Sequence, residues 1–71
     1  MIRTVIRVDG MMCGMCETHI NEAVRRHLPV KKVKANRRKK EVLIESEAEL
    51  DRDLLKKTID ETGYTFLGFA E

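Results

Sequence analysis

The chain has no tryptophan, a single proline (Pro29) and only two cysteines, Cys13 and Cys16, among its 71 residues. Two cysteines do not make the multi-bridge framework of a small secreted scaffold. Standing three positions apart, they would close a loop too small for a bridge between them to add much stability. They read instead as ligands or redox groups. Either use needs reduced thiols, which expects a reducing compartment. No apolar run approaches the ~18 residues that a membrane-spanning helix requires. The opening residues, Met1-Ile2-Arg3-Thr4-Val5, lack the basic segment, long apolar stretch and small-residue cleavage site of an export signal. A cytoplasmic location without direct membrane insertion is expected for a free-standing protein; one domain of a longer protein is the alternative. Linkers, repeats and low-complexity segments are also absent. The length argues for one domain over residues 1–71, with a thin core and marginal stability.

Net charge is mild, +2 from 14 basic and 12 acidic residues, but its distribution is uneven. Arg37-Arg38-Lys39-Lys40 forms a basic run preceded by Lys31, Lys32 and Lys34, while acidic residues gather from Glu41 to Glu61. Such a run is most simply a solvated hairpin. Its functional alternative is electrostatic steering toward an acidic partner surface.

Hydropathy along the chain changes period several times. Over residues 2–8, Ile2, Thr4, Ile6 and Val8 fall on one face and Arg3, Val5 and Arg7 on the other, the pattern of a half-buried strand. Asp9-Gly10 is a turn signal, and residues 11–15 read as a short loop carrying Cys13. From Cys16 onward, Cys16, Ile20, Ala23, Val24 and His27 mark one face of a helix. Glu17 in its first turn and Arg25, Arg26 and His27 in its last suit the helix dipole, and Pro29 stops it. Val30, Val33 and Ala35 alternate with lysines as a second strand. Residues 36–40 form a turn, and Val42-Leu43-Ile44 form a third strand paired with the second. Residues 50–62 form a second helix with Leu54, Leu55, Thr58, Ile59 and Thr62 inward, closed by Gly63. Residues 64–69, rich in aromatic and β-branched side chains, make the last strand. The order β-α-β-β-α-β predicts an α+β, ferredoxin-like sandwich, a four-stranded antiparallel sheet with two helices on one face.

In this order the first loop opens into a helix N-terminus, where unpaired backbone N–H groups and the dipole favour negative charge. That loop is Gly10-Met11-Met12-Cys13-Gly14-Met15-Cys16. Thiolates are the form in which cysteine binds metal, and such a position lowers a thiol pKa. Two thiolates with little else nearby suit a soft ion of low coordination number, and thiolates select Cu(I). A structural Zn²⁺ site wants four protein ligands. Besides the cysteines, the only histidines are His19 and His27, both in the first helix.

Motif and element order together resemble the heavy-metal-associated domain family, which includes cytosolic copper chaperones and the metal-binding domains of copper-transporting P-type ATPases. The resemblance spans essentially the whole chain, with Met11, Cys13 and Cys16 matching its Met-x-Cys-x-x-Cys motif behind Gly10. It implies that Cys13 and Cys16 bind Cu(I) in a near-linear two-thiolate arrangement. It further implies transfer by ligand exchange to a metal-transporting P-type ATPase or another copper-responsive partner. The implied state is a monomer, with a metal-bridged dimer as the alternative. Met11 is implied to pack beneath the loop rather than bind metal. Met12 departs from the family, where Thr or Ser is common. Met15 stands at the loop tip, as shielding or as an apolar docking contact. Tyr64 after Gly63 resembles bacterial copper chaperones, where eukaryotic ones often carry Lys, and implies a prokaryotic origin. Its hydroxyl either approaches a thiolate or simply reaches the surface.

Other readings compete with this one. His19, one turn beyond Cys16, is either a third ligand that shifts preference toward Zn²⁺ or a partly exposed helix residue. His27 reads as a dipole partner, and Glu17 as a first-turn charge. A thiol–disulfide oxidoreductase also places CxxC at a helix N-terminus. Thioredoxin-like folds, however, need a proline facing the cysteines before a later strand, and none follows Pro29, so no enzymatic activity is expected. Hg²⁺, Cd²⁺ or Zn²⁺ is the other alternative. Mercury-binding relatives are typically exported, and zinc-transporting ATPase domains often carry an acid where Met12 stands. RNA-recognition domains share the element order but need aromatics on the first and third strands, which have none. No nucleic-acid partner is expected.

Overall fold

Two strand-period segments place their apolar residues against each other to make the floor of the core. Ile6 and Val8 of the first strand and Val42 and Ile44 of the third are all fully buried. The computed structural model describes residues 1–12 and 14–70. Its elements run β1 (Ile2–Asp9), α1 (Gly14–His27), β2 (Lys32–Asn36), β3 (Glu41–Ser46), α2 (Arg52–Glu61) and β4 (Thr65–Phe69). The expected order is thus the observed one. All pairings are antiparallel, and the strands lie side by side as β2-β3-β1-β4. Ile6 stands opposite Val42, and Thr4 opposite Ile44. Val33 and Ala35 of β2 continue the same rows, opposite Ile44 and Val42. Ile20 and Val24 of α1 and Leu55 and Ile59 of α2 meet this face and complete one hydrophobic cluster.

Element ends differ from the expected ones for local reasons. α1 begins at Gly14, two residues before the expected start at Cys16, so Met15 belongs to its first turn rather than to the loop. It ends at His27, and Leu28, whose N–H still donates to the Val24 carbonyl at 2.9 Å, packs into the core. Pro29 has no N–H with which to extend the ladder. β2 starts at Lys32 rather than Val30, because the Val30 N–H turns back to the Leu28 carbonyl at 2.9 Å. β3 is longer than Val42-Leu43-Ile44, running on to a buried Ser46 whose hydroxyl donates to the Ala48 carbonyl at 2.7 Å. α2 is shorter than expected. Asp51 is its N-cap, its carboxylate accepting from the Leu54 N–H at 3.1 Å, and Thr62 is its C-cap. This cap register sets Leu54 at the helix start, 39% exposed, which corrects its expected place on the inner stripe. Gly63 follows in the left-handed region, as expected of C′.

Two asparagine side chains fix β2 and the turn after it by polar bonds. The Asn21 side-chain oxygen on α1 accepts from the Ala35 N–H of edge strand β2 at 2.9 Å. That bond satisfies one backbone donor that an edge strand would otherwise present to another chain. Asn36 organises the β2–β3 turn, its side-chain oxygen accepting from the N–H groups of Arg38 (3.0 Å) and Lys39 (3.1 Å). This is the turn chemistry that asparagine supplies.

At the end of β1 the chain must change direction sharply. Gly10 adopts φ +98°, and a Cβ there would stand 3.4 Å from Cδ1 of Tyr64. Its N–H is held by the Asp9 carboxylate at 2.9 Å. A side chain at this φ is strained by roughly 1–2 kcal/mol. Gly10→Ala should therefore lower the urea midpoint by about that free energy with an unchanged slope. Gly14→Ala serves as its control. It opens α1 with an ordinary φ, where a Cβ would make ordinary van der Waals contact 3.7 Å from an Arg37 guanidinium nitrogen, and should not destabilise. Equal behaviour of the two variants would show that the Gly10 turn is not constrained. Ile44→Ala empties the centre of the core and should cost roughly 2–5 kcal/mol, a large share of the ~5–15 kcal/mol typical of a domain. Calorimetry should show its melting transition lowered far more than that of Leu54→Ala.

Candidate metal centre

The loop after β1 is fixed on both flanks by side chains that point inward. Met11 is buried, 9% exposed, and belongs to the core cluster. That is the packing role the family resemblance implies for it. Cys16 lies in the first turn of α1, half-buried and packed against the same cluster. Its position follows from the helix stripe: Ile20 and Val24, four and eight residues on, are fully buried. A stripe continued one turn toward the N-terminus meets the rim of the core at Cys16. The other expected ligand, Cys13, lies outside the described residues.

Between and beside these anchors the surface is apolar and open. Met12 is 84% exposed and Met15 82%. Tyr64 packs against the core, stands over Gly10 and meets the exposed His19 ring edge-on, with centroids 6.0 Å apart. The Gly63-Tyr64 turn is thus brought beside the loop, as the resemblance implies. Among the described residues, no three His, Cys, Asp or Glu side chains gather as a metal cluster. His27 is exposed in the last turn of α1, at the opposite end of the helix from Cys16.

The basic turn between β2 and β3 lies at this same end of the molecule. The Lys40 carbonyl accepts from the Val8 N–H at 2.9 Å, and its ammonium stands 3.5 Å from the Asp9 carboxylate. Arg37 reaches α1. Its backbone N–H donates to Glu17 Oε2 at 2.8 Å and its guanidinium to Oε1 at 3.1 Å. Glu17 is therefore more than the first-turn charge it appeared in the sequence, since both carboxylate oxygens are engaged by the hairpin. Arg38 and Lys39 are exposed beside it. An acid in a helix's first turn gives no sign of which distant residue it will meet, so Glu17–Arg37 had no signal in the sequence. Asn36 before a four-residue basic run did carry one, as a turn former.

Elsewhere the polar clusters serve the fold. Arg52 lies over the Phe69 ring at 4.3 Å, and Phe69 meets Phe66 edge-on at 5.4 Å, joining the start of α2 to β4. No helix is long and apolar enough to cross a membrane, among the described residues.

Comparison with known proteins agrees with this geometry. The model of the heavy-metal-associated domain matches residues 5–65. No curated protein sequence matches the chain significantly. Among solved structures, the heavy metal binding protein of Thermotoga maritima is 26% identical, with 99% of this chain and 98% of that chain covered and a TM-score of 0.78. The yeast copper transporter domain CCC2A, solved in apo and Cu(I)-loaded states, is 23% identical over 97% of this chain and 94% of that one, with a TM-score of 0.84. The N-terminal domain of ZntA in its Zn(II)-form is 22% identical, covering 97% and 96%, with a TM-score of 0.82. With most of its length matched by that model and its fold shared with these structures, the chain belongs to the heavy-metal-associated domain family.

Proposed function

We propose that this domain carries one Cu(I) ion between the thiolates of Cys13 and Cys16 and hands it to a partner protein, without being an enzyme. The observation that carries the reading is the setting of Cys16. It is packed on the core yet stands in the first turn of α1, beside a loop whose rim is exposed methionine. First-turn N–H groups favour an anionic sulfur. Binding releases the thiol protons, so uptake falls as pH drops. Two nearby alternative donors have other engagements: Met11 is buried in the core and the Glu17 carboxylate is bound by Arg37. With His19 the nitrogen donor still exposed one turn on, the site is sulfur-dominated, which favours Cu(I) over harder ions.

Handover follows from low coordination. A partner thiolate bonds to the ion before one of this chain's sulfur–metal bonds breaks, so no free ion is released. The exposed loop allows the approach, and the exposed Arg38 and Lys39 beside it favour an acidic partner surface. A metal-transporting P-type ATPase or another copper-responsive protein in the cytoplasm fits that description. Zn²⁺ is the second reading, favoured by the likeness to a domain solved in its Zn(II)-form.

Anaerobic titration of the reduced protein against competing chelators separates these readings. One equivalent of Cu(I) should bind, with affinity falling more than about a hundredfold in Cys13→Ser and in Cys16→Ser, beyond what loss of an outer partner causes. Zn²⁺ should bind much more weakly. Tighter Zn²⁺ binding that is lost in His19→Ala would make this a divalent-ion domain. Failure to bind either ion, together with catalytic reduction of a disulfide substrate, would establish a thiol–disulfide oxidoreductase instead.

A further inference from the structure

The first turn of α1 has a tether of its own, separate from the core contacts of Cys16. Glu17 directly follows Cys16, and its carboxylate is held at both oxygens by one residue of the β2–β3 turn. Arg37 donates its backbone N–H at 2.8 Å and its guanidinium at 3.1 Å. Bonds of this charge-assisted, two-point kind fix orientation as well as separation. The pair is partly shielded, with side-chain exposures of 39% for Arg37 and 23% for Glu17. The same guanidinium lies along the backbone between the two cysteine positions: a Cβ on Gly14 would be 3.7 Å from its nearest nitrogen and 4.0 Å from the Glu17 carboxylate.

The far end of the tether does not move freely. The β2–β3 turn is closed by Asn36, which accepts from the N–H groups of Arg38 and Lys39. It is joined to β1 by the bond from the Val8 N–H to the Lys40 carbonyl. Arg37 therefore transmits the rigidity of the sheet to the start of α1. An isolated helix end frays because its first N–H groups have no partners in the helix. Here the fraying end is also the end that presents Cys16.

We propose that Glu17 and Arg37 are positioning residues for metal capture: their clamp holds the first turn of α1 formed before metal arrives, so that binding does not bear the cost of ordering it. The proposal rests on the Cu(I) reading above. Because cation and carboxylate are almost equally close to Gly14, the pair is near neutral in its effect there. It acts through geometry rather than through net charge. Removing either side chain should leave Cys16 packed on the core but loosen the turn that orients it. Outer partners of metal ligands typically contribute tenfold or more to affinity by this route.

The test uses the full chain and four variants: Glu17→Ala, Arg37→Ala, Glu17→Gln and Asp51→Ala. The last removes the N-cap of α2, which lies away from the loop, and serves as a stability control. Three quantities are read: Cu(I) affinity by chelator competition, amide hydrogen exchange over residues 18–20, whose N–H groups bond to the first-turn carbonyls of α1, in the metal-free protein, and melting temperature. Glu17→Ala and Arg37→Ala should weaken Cu(I) by about tenfold and speed exchange over residues 18–20. Glu17→Gln keeps an acceptor for the Arg37 N–H and should recover much of both. Asp51→Ala should lower the melting temperature without moving affinity. The proposal is overturned if Glu17→Ala binds Cu(I) as the wild type does, if exchange over residues 18–20 is unchanged, or if affinity merely follows melting temperature across all four variants. Wild-type binding separately decides the functional reading. If the wild type takes Zn²⁺ instead, that reading fails while the same comparison, made with Zn²⁺, still judges the clamp. Binding of neither ion overturns both.

Discussion

Pairing of β1 on both sides is the constraint from which the site's geometry descends. β1 is central, hydrogen-bonded to β3 along Ile2 to Arg7 and to β4 along Ile6 to Asp9. A strand held on both edges cannot slip by one residue without sending Ile6 and Val8 to the solvent face. Its last residues are therefore fixed, and so is the point where the chain leaves the sheet at Gly10. Three neighbours of the loop after β1 are referred to that point: Tyr64 across Gly10, Lys40 beside Asp9, Met11 beneath. The β1–β4 pairing also contains an irregularity, a register shift between Arg7 and Val8 that leaves Leu67 as an extra residue in β4. Gly68, at φ +135°, takes the strained position of this bulge. The bulge lets Phe66 and Phe69, an odd number of positions apart, both face the core opposite Val8 and Ile6.

That bulge marks where the sequence stops being readable by period alone. Alternation was enough for β1, and the i, i+4, i+8 spacing of Cys16, Ile20 and Val24 was enough for the face of α1, because in each case one side is buried. The strand-period reading of residues 64–69 gave the right element without its bulge, although a glycine inside an aromatic strand is the local sign of one. The start of α1 differs from the expected one for a related reason. The helical period becomes visible only at Cys16, where the apolar stripe begins, whereas the helix runs back to Gly14. Helical spacing puts Leu54 on the inner stripe with Leu55, Thr58 and Ile59, but of these four only the last three are buried, while Leu54, in the first turn after the Asp51 cap, lies at the edge of the stripe, 39% exposed. Spacing fixes the direction of a stripe, not its width.

The site itself was legible through its motif and its element order, not through its contacts. Cys16 near a helix start follows from where strand period gives way to helix period, and Met11 in the core from the family resemblance. Glu17–Arg37 and Asn21–Ala35 do not, since each joins residues that are distant in sequence through a polar bond. No periodicity records such a bond. The basic run illustrates both sides of this. Its placement in a hairpin turn was readable, and that part of it is solvated. Yet Arg37 reaches across to bind α1 while still partly exposed, and Lys40 stands near Asp9, so the run divides between fastening the loop end of the domain and charging its surface.

On the proposed reading, selectivity depends as much on withholding donors as on supplying them, and the donors are withheld unequally. Met11 is withheld by burial: drawing its sulfur out would expose a core side chain, at about 1.5–3 kcal/mol for one fully buried. Glu17 is withheld by two hydrogen bonds to Arg37, worth about 1.5–3 kcal/mol each when a charge takes part but less at a partly exposed pair. His19 is withheld least. Among the described residues its exposed ring has an edge contact with Tyr64 alone, a kind of contact worth about 0.5–1.5 kcal/mol, and it stands one helical turn from Cys16. Any ion that wants a third, nitrogen ligand would recruit His19 first. An ion content with two thiolates has no need to. The difference between a Cu(I) carrier and a divalent-ion domain on this scaffold thus narrows to the hold of one aromatic contact on one imidazole.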